Sequence, residues 1–170
     1  MHSCQVPDKE QRMEQMVTAY GDSLLRLCFL YLNDIQLAED ALQNTFLAAW
    51  RAWDGFRGDA DEKTWLTRIA INSCKSIARG AWFRRVDRSA VLDTIPCDRN
   101  LFDEADDTVL KKVMALPAKY RAVILLYYYQ NFKIREIAQI LRIPEATVST
   151  RLKRAREKLR PQLERWYFDE

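Results

Sequence analysis

The chain has 170 residues, enough for one compact domain or two small ones. It is 48% hydrophobic and 30% charged, which excludes a disordered chain, and its 4 Gly and 5 Pro favour helix. The net charge is only +3, so a nucleic-acid role has to be argued from where the charge sits rather than from the total.

No apolar run is long enough to span a bilayer. The opening residues, MHSCQVPDKEQ, hold no signal-peptide core, so cytoplasmic residence without membrane insertion is the expectation. The first helix is predicted from about Lys9 to Leu32. Met13, Met16, Val17, Tyr20, Leu24, Leu27, Cys28 and Tyr31 trace its apolar side. Gly21 interrupts the pattern at a cost of about 1 kcal/mol relative to alanine. Asn33-Asp34 offers a break and an N-cap. The second helix is predicted from Ile35 to Trp53, with Leu42, Phe46, Ala49 and Trp53 inward and Trp50 also in the core. Its other side carries Glu39, Asp40, Gln43, Asn44 and Leu47: acids, amides and one exposed leucine that could meet a basic partner helix. Ordinary solvation is the plainer reading of that face taken alone.

Residues 53–63, with two glycines and several acids, read as a loop. Thr64 is the expected N-cap of a helix from Trp65 to about Arg79, which turns Leu66, Ile69, Ala70 and Ile77 inward. Arg68, Asn72, Lys75 and Arg79 then share the outer face. Trp50, Trp53, Phe56, Trp65, Trp82 and Phe83 crowd this basic helix and its loop. Aromatic faces beside positive charge suit single-stranded nucleic acid, because unstacked bases can stack while phosphates are neutralised. Core packing is the competing role for those rings.

From Asp87 to Asp107 acids dominate and Pro96 interrupts any helix, so an acidic linker is expected there. A short helix marked by Val109, Leu110, Val113 and Met114 ends at Pro117, and a mostly apolar helix follows from Ala118 to Tyr129. Next comes KIREIAQILRIPEATVSTRLKRAREKLR (133–160), which reads as a helix-turn-helix. Ile134, Ile137, Ala138 and Leu141 make one apolar stripe, and Val148, Leu152, Ala155 and Leu159 make the other. Arg142-Ile143-Pro144 separates them, with the second helix expected to start at Pro144. Ser149, Thr150, Arg151, Lys153, Arg154, Arg156 and Lys158 lie off the stripe. Hydroxyls and guanidinium groups at the front of such a helix reach base edges in a major groove, and basic residues behind them neutralise phosphates.

The cysteines give no metal or disulfide spacing: Cys28 and Cys74 read as core, Cys4 as tail and Cys97 as linker. No metal site, cofactor or catalytic constellation is expected. The fold class is all-α: two small helical domains, 9–86 and 108–167, joined by a flexible acidic linker at 87–107, the second being the helix-turn-helix domain.

DIQLAEDALQNTF (34–46), FRGDADEKTWLTRIAINSCKSIAR (56–79) and LPAKYRAVILLYYYQNFKIREIAQILRIPEATVSTRLKRAREKL (116–159) resemble regions two and four of bacterial sigma-70 family RNA polymerase sigma factors. The match is to the minimal extracytoplasmic-function (ECF, group IV) type, and it covers nearly the whole chain outside the N-terminal tail and linker.

That resemblance implies docking on core RNA polymerase, with Glu39, Asp40, Gln43, Asn44 and Leu47 against the clamp coiled coil of the largest subunit. It implies that Phe56, Arg57, Gly58 and Asp59 form a pocket for a base flipped from the melted downstream promoter element. Trp65, Arg68, Asn72 and Lys75 would hold the neighbouring nucleotides. The second half would read the upstream element as duplex, and the resemblance implies an anti-sigma factor as a partner and a stress or envelope regulon. Three positions depart from the family pattern: Lys133 where a small capping residue is usual, Ala146-Thr147 in place of glycine-threonine, and Ser76 in place of an aspartate. The alternative is a stand-alone helix-turn-helix regulator that binds operator DNA without polymerase, which would leave the aromatic loop and the acidic helix idle.

Overall fold

The computed structural model describes residues 9–58, 60–86 and 107–168. Helices account for almost all of them, and no strand occurs among the described residues.

The first unit is three helices: α1 (Lys9–Leu32), α2 (Ile35–Ala52) and α3 (Glu62–Val86). Asn33 takes a left-handed turn at φ 55° and donates its backbone N–H to the Phe29 carbonyl at 2.7 Å. Asp34 then caps α2, accepting from the Leu37 amide at 2.9 Å. Leu24, Leu27 and Cys28 of α1 meet Leu66, Ile71 and Cys74 of α3 in the core. The deepest row of α2 is made of small residues, Ala38, Ala41, Thr45 and Ala49, which let its backbone approach closely. Thr45 satisfies its buried hydroxyl by donating to the Ala41 carbonyl. Of the expected inward stripe only Ala49 is fully buried; Leu42, Phe46 and Trp53 flank the core half-buried.

Three boundaries differ from the sequence expectation. α2 stops at Ala52, and Trp53–Gly55 forms a single 3-10 turn. α3 begins at Glu62, earlier than Thr64, because the Asp61 carbonyl already accepts from the Trp65 amide at 2.9 Å. Acids at 61 and 62 suit the positive end of the helix dipole. Arg12 of α1 pairs with Glu62 there, with Nε 2.9 Å from Oε1. Gly80 does not end α3, which continues to Val86; a penalty of about 1 kcal/mol is too small to stop a helix with no other breaker.

The second unit holds α4 (Asp107–Met114), α5 (Ala118–Ile124), α6 (Ile134–Leu141) and α7 (Glu145–Phe168). The expected linker, 87–107, lies outside the described residues but for Asp107, which opens α4. The single helix expected over 118–129 is α-helical only to Ile124. A π turn, Leu125–Tyr129, closes it through the Gln130 amide on the Leu125 carbonyl at 3.0 Å. The wider turn keeps Leu125 and Leu126 buried while swinging Tyr128 outward to 51% exposure. Arg142 is left-handed at φ 53° and ends α6. Pro144 serves as the cap of α7 rather than its first residue, since its carbonyl accepts from the Thr147 and Val148 amides. α7 runs on through Pro161.

The two units touch. α3 packs on α6 and α1 meets α5. Gln130, after the π turn, is buried between them.

Candidate nucleic-acid and polymerase interfaces

Three surfaces gather the candidate residues. On α2, Glu39, Asp40, Gln43, Asn44 and Leu47 are all exposed and share one outer face, with Leu47 at 53%. Sequence reasoning put Trp50 in the core, but it is 37% exposed on the same helix, with the Lys9 ammonium 4.6 Å from its ring. Lys9 also pairs with Asp54 at 3.4 Å. The alanine row sits so close to α1 and α3 that the bulkier side chains of α2 are left at its flanks.

The second surface lies where the 3-10 turn meets α3. The Phe56 ring tilts against Trp65 with centroids 4.6 Å apart, and Trp53 closes the cluster at 5.8 Å from Phe56. Trp65 is buried and Phe56 half-buried, so Trp65 is the floor and Phe56 the reachable wall. Gly58 turns the loop at φ 73°, a conformation that costs a residue with a Cβ. Beside the rings is a cavity of about 350 Å³ lined by Phe56, Arg57, Thr64, Trp65 and Arg68, with Gln139 of α6 at its edge. Asn72 is exposed further along α3, and Lys75 is half-buried. Burial, then the Arg151 and Arg79 guanidinium groups, hold the Lys75 ammonium below its ordinary pKa. Asp59 lies outside the described residues.

The third surface is α7. Val148, Leu152, Ala155 and Leu159 are buried as the spacing requires. Ser149, Thr150, Lys153, Arg154 and Lys158 are exposed, and Arg151 is half-buried. Thr150 donates its hydroxyl proton to the Ala146 carbonyl at 2.8 Å, which leaves its oxygen lone pairs outward as an acceptor. Arg156 is engaged elsewhere. It donates Nε to the Tyr128 hydroxyl at 2.8 Å and lies 5.6 Å from the Tyr127 and Tyr128 rings. That contact pins α7 to the π turn.

Sequence reasoning passed over Lys119 and Tyr120. They join Thr147, Thr150, Arg151 and Arg154 around a cavity of about 370 Å³. The Arg154 guanidinium lies beside the Tyr120 hydroxyl, and the Lys158 ammonium is 5.8 Å from the ring. No sequence signal linked residues 119–120 to a helix some 25 positions later; only the packing of α5 on α7 brings them together.

The two core cysteines, Cys28 and Cys74, are both fully buried and neighbour each other. The adjacent Cys28 thiol, and then burial, push the Cys74 thiol pKa far above its ordinary value. Cys4, Cys97 and His2 lie outside the described residues.

A three-helix unit with an aromatic, cation-rimmed cavity, followed by a helix-turn-helix with a basic outer face, is the layout of a DNA-engaging regulatory protein. Residues 16–88 match the family described as sigma-70 region 2, and residues 107–159 match sigma-70, region 4. The chain is 33% identical over 162 residues to the ECF RNA polymerase sigma factor SigW of Bacillus subtilis, covering 87% of each chain. It is 32% identical to the RNA polymerase sigma-H factor of Pseudomonas aeruginosa, covering 87% of this chain and 84% of that one. Among solved structures it is similar to CnrH in complex with the cytosolic domain of CnrY, at TM-score 0.69 and 26% identity, covering 91% and 89% of the two chains. In fold it is also similar to the sigma factor RpoE of Bartonella quintana in complex with the anti-sigma factor NepR, at TM-score 0.75 and 24% identity, covering 90% and 97%. The chain belongs to the extracytoplasmic-function sigma factors. It is a polymerase-binding factor for promoter recognition, and the stand-alone regulator is not favoured, because the region 2 match accounts for the half of the chain that such a regulator leaves idle.

Proposed function

We propose that this sigma factor docks on core polymerase through Glu39, Asp40, Gln43, Asn44 and Leu47 of α2, the partner surface being the clamp coiled coil of the largest subunit. A flipped base of the melted downstream element then enters the cavity at Phe56, Arg57, Gly58 and Asp59. Trp65, Arg68, Asn72 and Lys75 hold the flanking strand. Flipping costs a few kcal/mol of stacking, which an aromatic wall and two flanking cations can return. On α7, Ser149, Thr150, Lys153 and Arg154 read the upstream element, while Arg151 and Lys158 meet phosphates. In this reading the domains are 9–86 and 108–167, joined in sequence by the acidic stretch 87–107.

The observation that carries this reading is the Phe56–Trp65 pair, at 4.6 Å, beside a cavity rimmed by Arg57 and Arg68. The chain works in the cytoplasm, takes an anti-sigma factor as a further partner, serves a stress or envelope regulon and carries no reaction of its own; polymerisation is the partner's.

Run-off transcription with core enzyme on a promoter library tests the whole, and two variants separate its parts. Asp40→Arg puts a cation where a basic partner helix is expected, so it should abolish co-purification with core while helicity stays unchanged. Asn72→Ala should leave co-purification intact and reduce permanganate reactivity of the downstream element, with partial rescue on a pre-melted template. Wild-type capture of Asp40→Arg by core would remove the docking assignment. Wild-type footprints for Asn72→Ala would remove the strand-holding one.

A further inference from the structure

The loop that carries the Phe56 wall is tied at both ends to the first turn of α1. Lys9 donates its ammonium to the Asp54 carboxylate at 3.4 Å, in the 3-10 turn where the loop begins. Arg12 donates Nε to Glu62 Oε1 at 2.9 Å, and its Nη2 reaches the same oxygen. Glu62 is the first residue of α3, where the loop ends. The remaining nitrogen of Arg12, Nη1, donates to the Gln15 side chain at 2.9 Å. Every nitrogen of that guanidinium is thus committed within the protein, which fixes the side chain instead of leaving it to follow a phosphate. The side chains of Arg12 and Glu62 are 37% and 20% exposed, so salt screens this pair less than one in open solvent. Between the two ties lie Phe56, Arg57 and the left-handed Gly58. A loop with both ends fixed has fewer arrangements open to it, so less order has to be gained when a ligand enters.

We propose that Arg12 is a positioning residue for the downstream strand. Acting through Glu62, with Lys9 on Asp54 as a second arm, it clasps the loop so that an unpaired base meets a wall already formed at Phe56. It also neutralises the Glu62 carboxylate, which would otherwise repel the phosphates of the strand. The proposal rests on the reading that the flipped base enters beside Phe56. Neither Arg12 nor Lys9 touches the strand in this account; their effect passes through the loop. The two arms are unequal. The Asp54 side chain is 82% exposed, and an ion pair so open to water holds little. Arg12 therefore carries most of the effect.

The test is a double-mutant cycle in the full chain: Arg12→Gln, Glu62→Ala and the two together. Each is combined with core enzyme and titrated against a promoter whose downstream element is already unpaired. Arg12→Gln should bind core within two-fold of wild type, because the outer face of α2 is untouched, and should weaken capture of that promoter at least three-fold. A smaller loss overturns the proposal. In the Glu62→Ala background the same substitution should cost less than half as much. An undiminished loss there overturns the proposal, since Arg12 would then meet the strand directly. Amide exchange of the peptide spanning 54–61 supplies a readout without DNA. It should speed up at least three-fold in Arg12→Gln and further in Lys9→Gln/Arg12→Gln, while peptides from the α1–α3 core exchange as in wild type. Unchanged exchange in the loop overturns the clasp, and faster exchange in the core as well means that Arg12 only stabilises the unit, which overturns it too. Arg68→Ala tells the two failures apart. If it leaves capture of the unpaired promoter unchanged, the strand does not enter this cavity and the reading of α3 fails, while the exchange rates still decide whether Arg12 holds the loop.

Discussion

At the scale of single residues, the useful distinction is between side chains that are free to meet DNA and those already committed within the protein. Arg154 and Lys158 are exposed and Arg156 is tied to Tyr128. Arg154 sits on the front half of α7, where a bidentate contact with guanine is worth about 1–3 kcal/mol of discrimination. Arg154→Ala should therefore flatten preference at one or two positions of the upstream element. Lys158→Ala should weaken all sequences alike and lower the salt slope by about one. Binding to a randomised upstream element at two salt concentrations separates them, and a uniform loss for Arg154→Ala means that Arg154 contacts phosphate. The cysteines give the opposite case. Nucleophilic thiols need a depressed pKa and access; Cys74 has neither, and Cys28 is as deeply buried. Iodoacetamide should leave both unmodified in native buffer and label both in guanidinium, as read by peptide mapping. Labelling of either in the native chain would show that the α1–α3 core opens.

At the scale of elements, what could be read from sequence was periodicity, and what could not was the local backbone where two periodic stretches meet. The stripe of α7 was legible because Val148, Leu152, Ala155 and Leu159 repeat at helical spacing and are all buried. The start of α3 was not, because Thr64 looks like a cap while Asp61 does the work through its carbonyl. The π turn was invisible, since a run of Leu and Tyr carries no marker for one extra residue per turn. The alanine row of α2 misled in another way. Small residues rank low as core signals, so Trp50 was placed inside when close packing had expelled it. The polar face of α2 was legible for the same reason, because nothing else on that helix could be exposed in such a block. Local caps hold that face in place. Asp34 accepts from Leu37 at 2.9 Å, so Asp34→Ala should destabilise the fold by about 0.5–2 kcal/mol. Asp34→Asn keeps an acceptor oxygen and should cost much less. Chemical denaturation of both checks this; equal losses would mean that the charge and not the cap bond matters.

At the scale of the whole molecule, the sequence described two units and a tether, and the structure adds that they pack against each other, α6 on α3 and α5 on α1, with one apolar cluster running through both and Gln130 buried between them. Nothing in periodicity could have shown this. Gln130 reads as one more polar residue at a helix end, and Ser23 and Lys63 lie far from it in the chain. That contact sets a balance whose sign can be worked out. The packing of the two units brings the Lys75 ammonium toward Arg151, and burial and that neighbour both disfavour its charged form. The repulsion is between partly exposed groups, so salt screens it: the Debye length falls from about 10 Å at 0.1 M to about 3 Å at 1 M. The bonds to Gln130, from the Ser23 hydroxyl and the Lys63 ammonium at 2.9 Å each, are short and partly buried, and salt weakens them less. Raising ionic strength should therefore favour the arrangement in which the two units are packed together. DNA binding should fall over the same range through counterion release. Fluorescence transfer between a donor on the first unit and an acceptor on the second should rise from low to high salt. Lys75→Gln removes one of the repelling charges and should flatten that rise, with transfer already high at low salt. If transfer instead falls with salt in both proteins, attraction between opposite charges holds the units together, and the like-charge account of their contact is wrong.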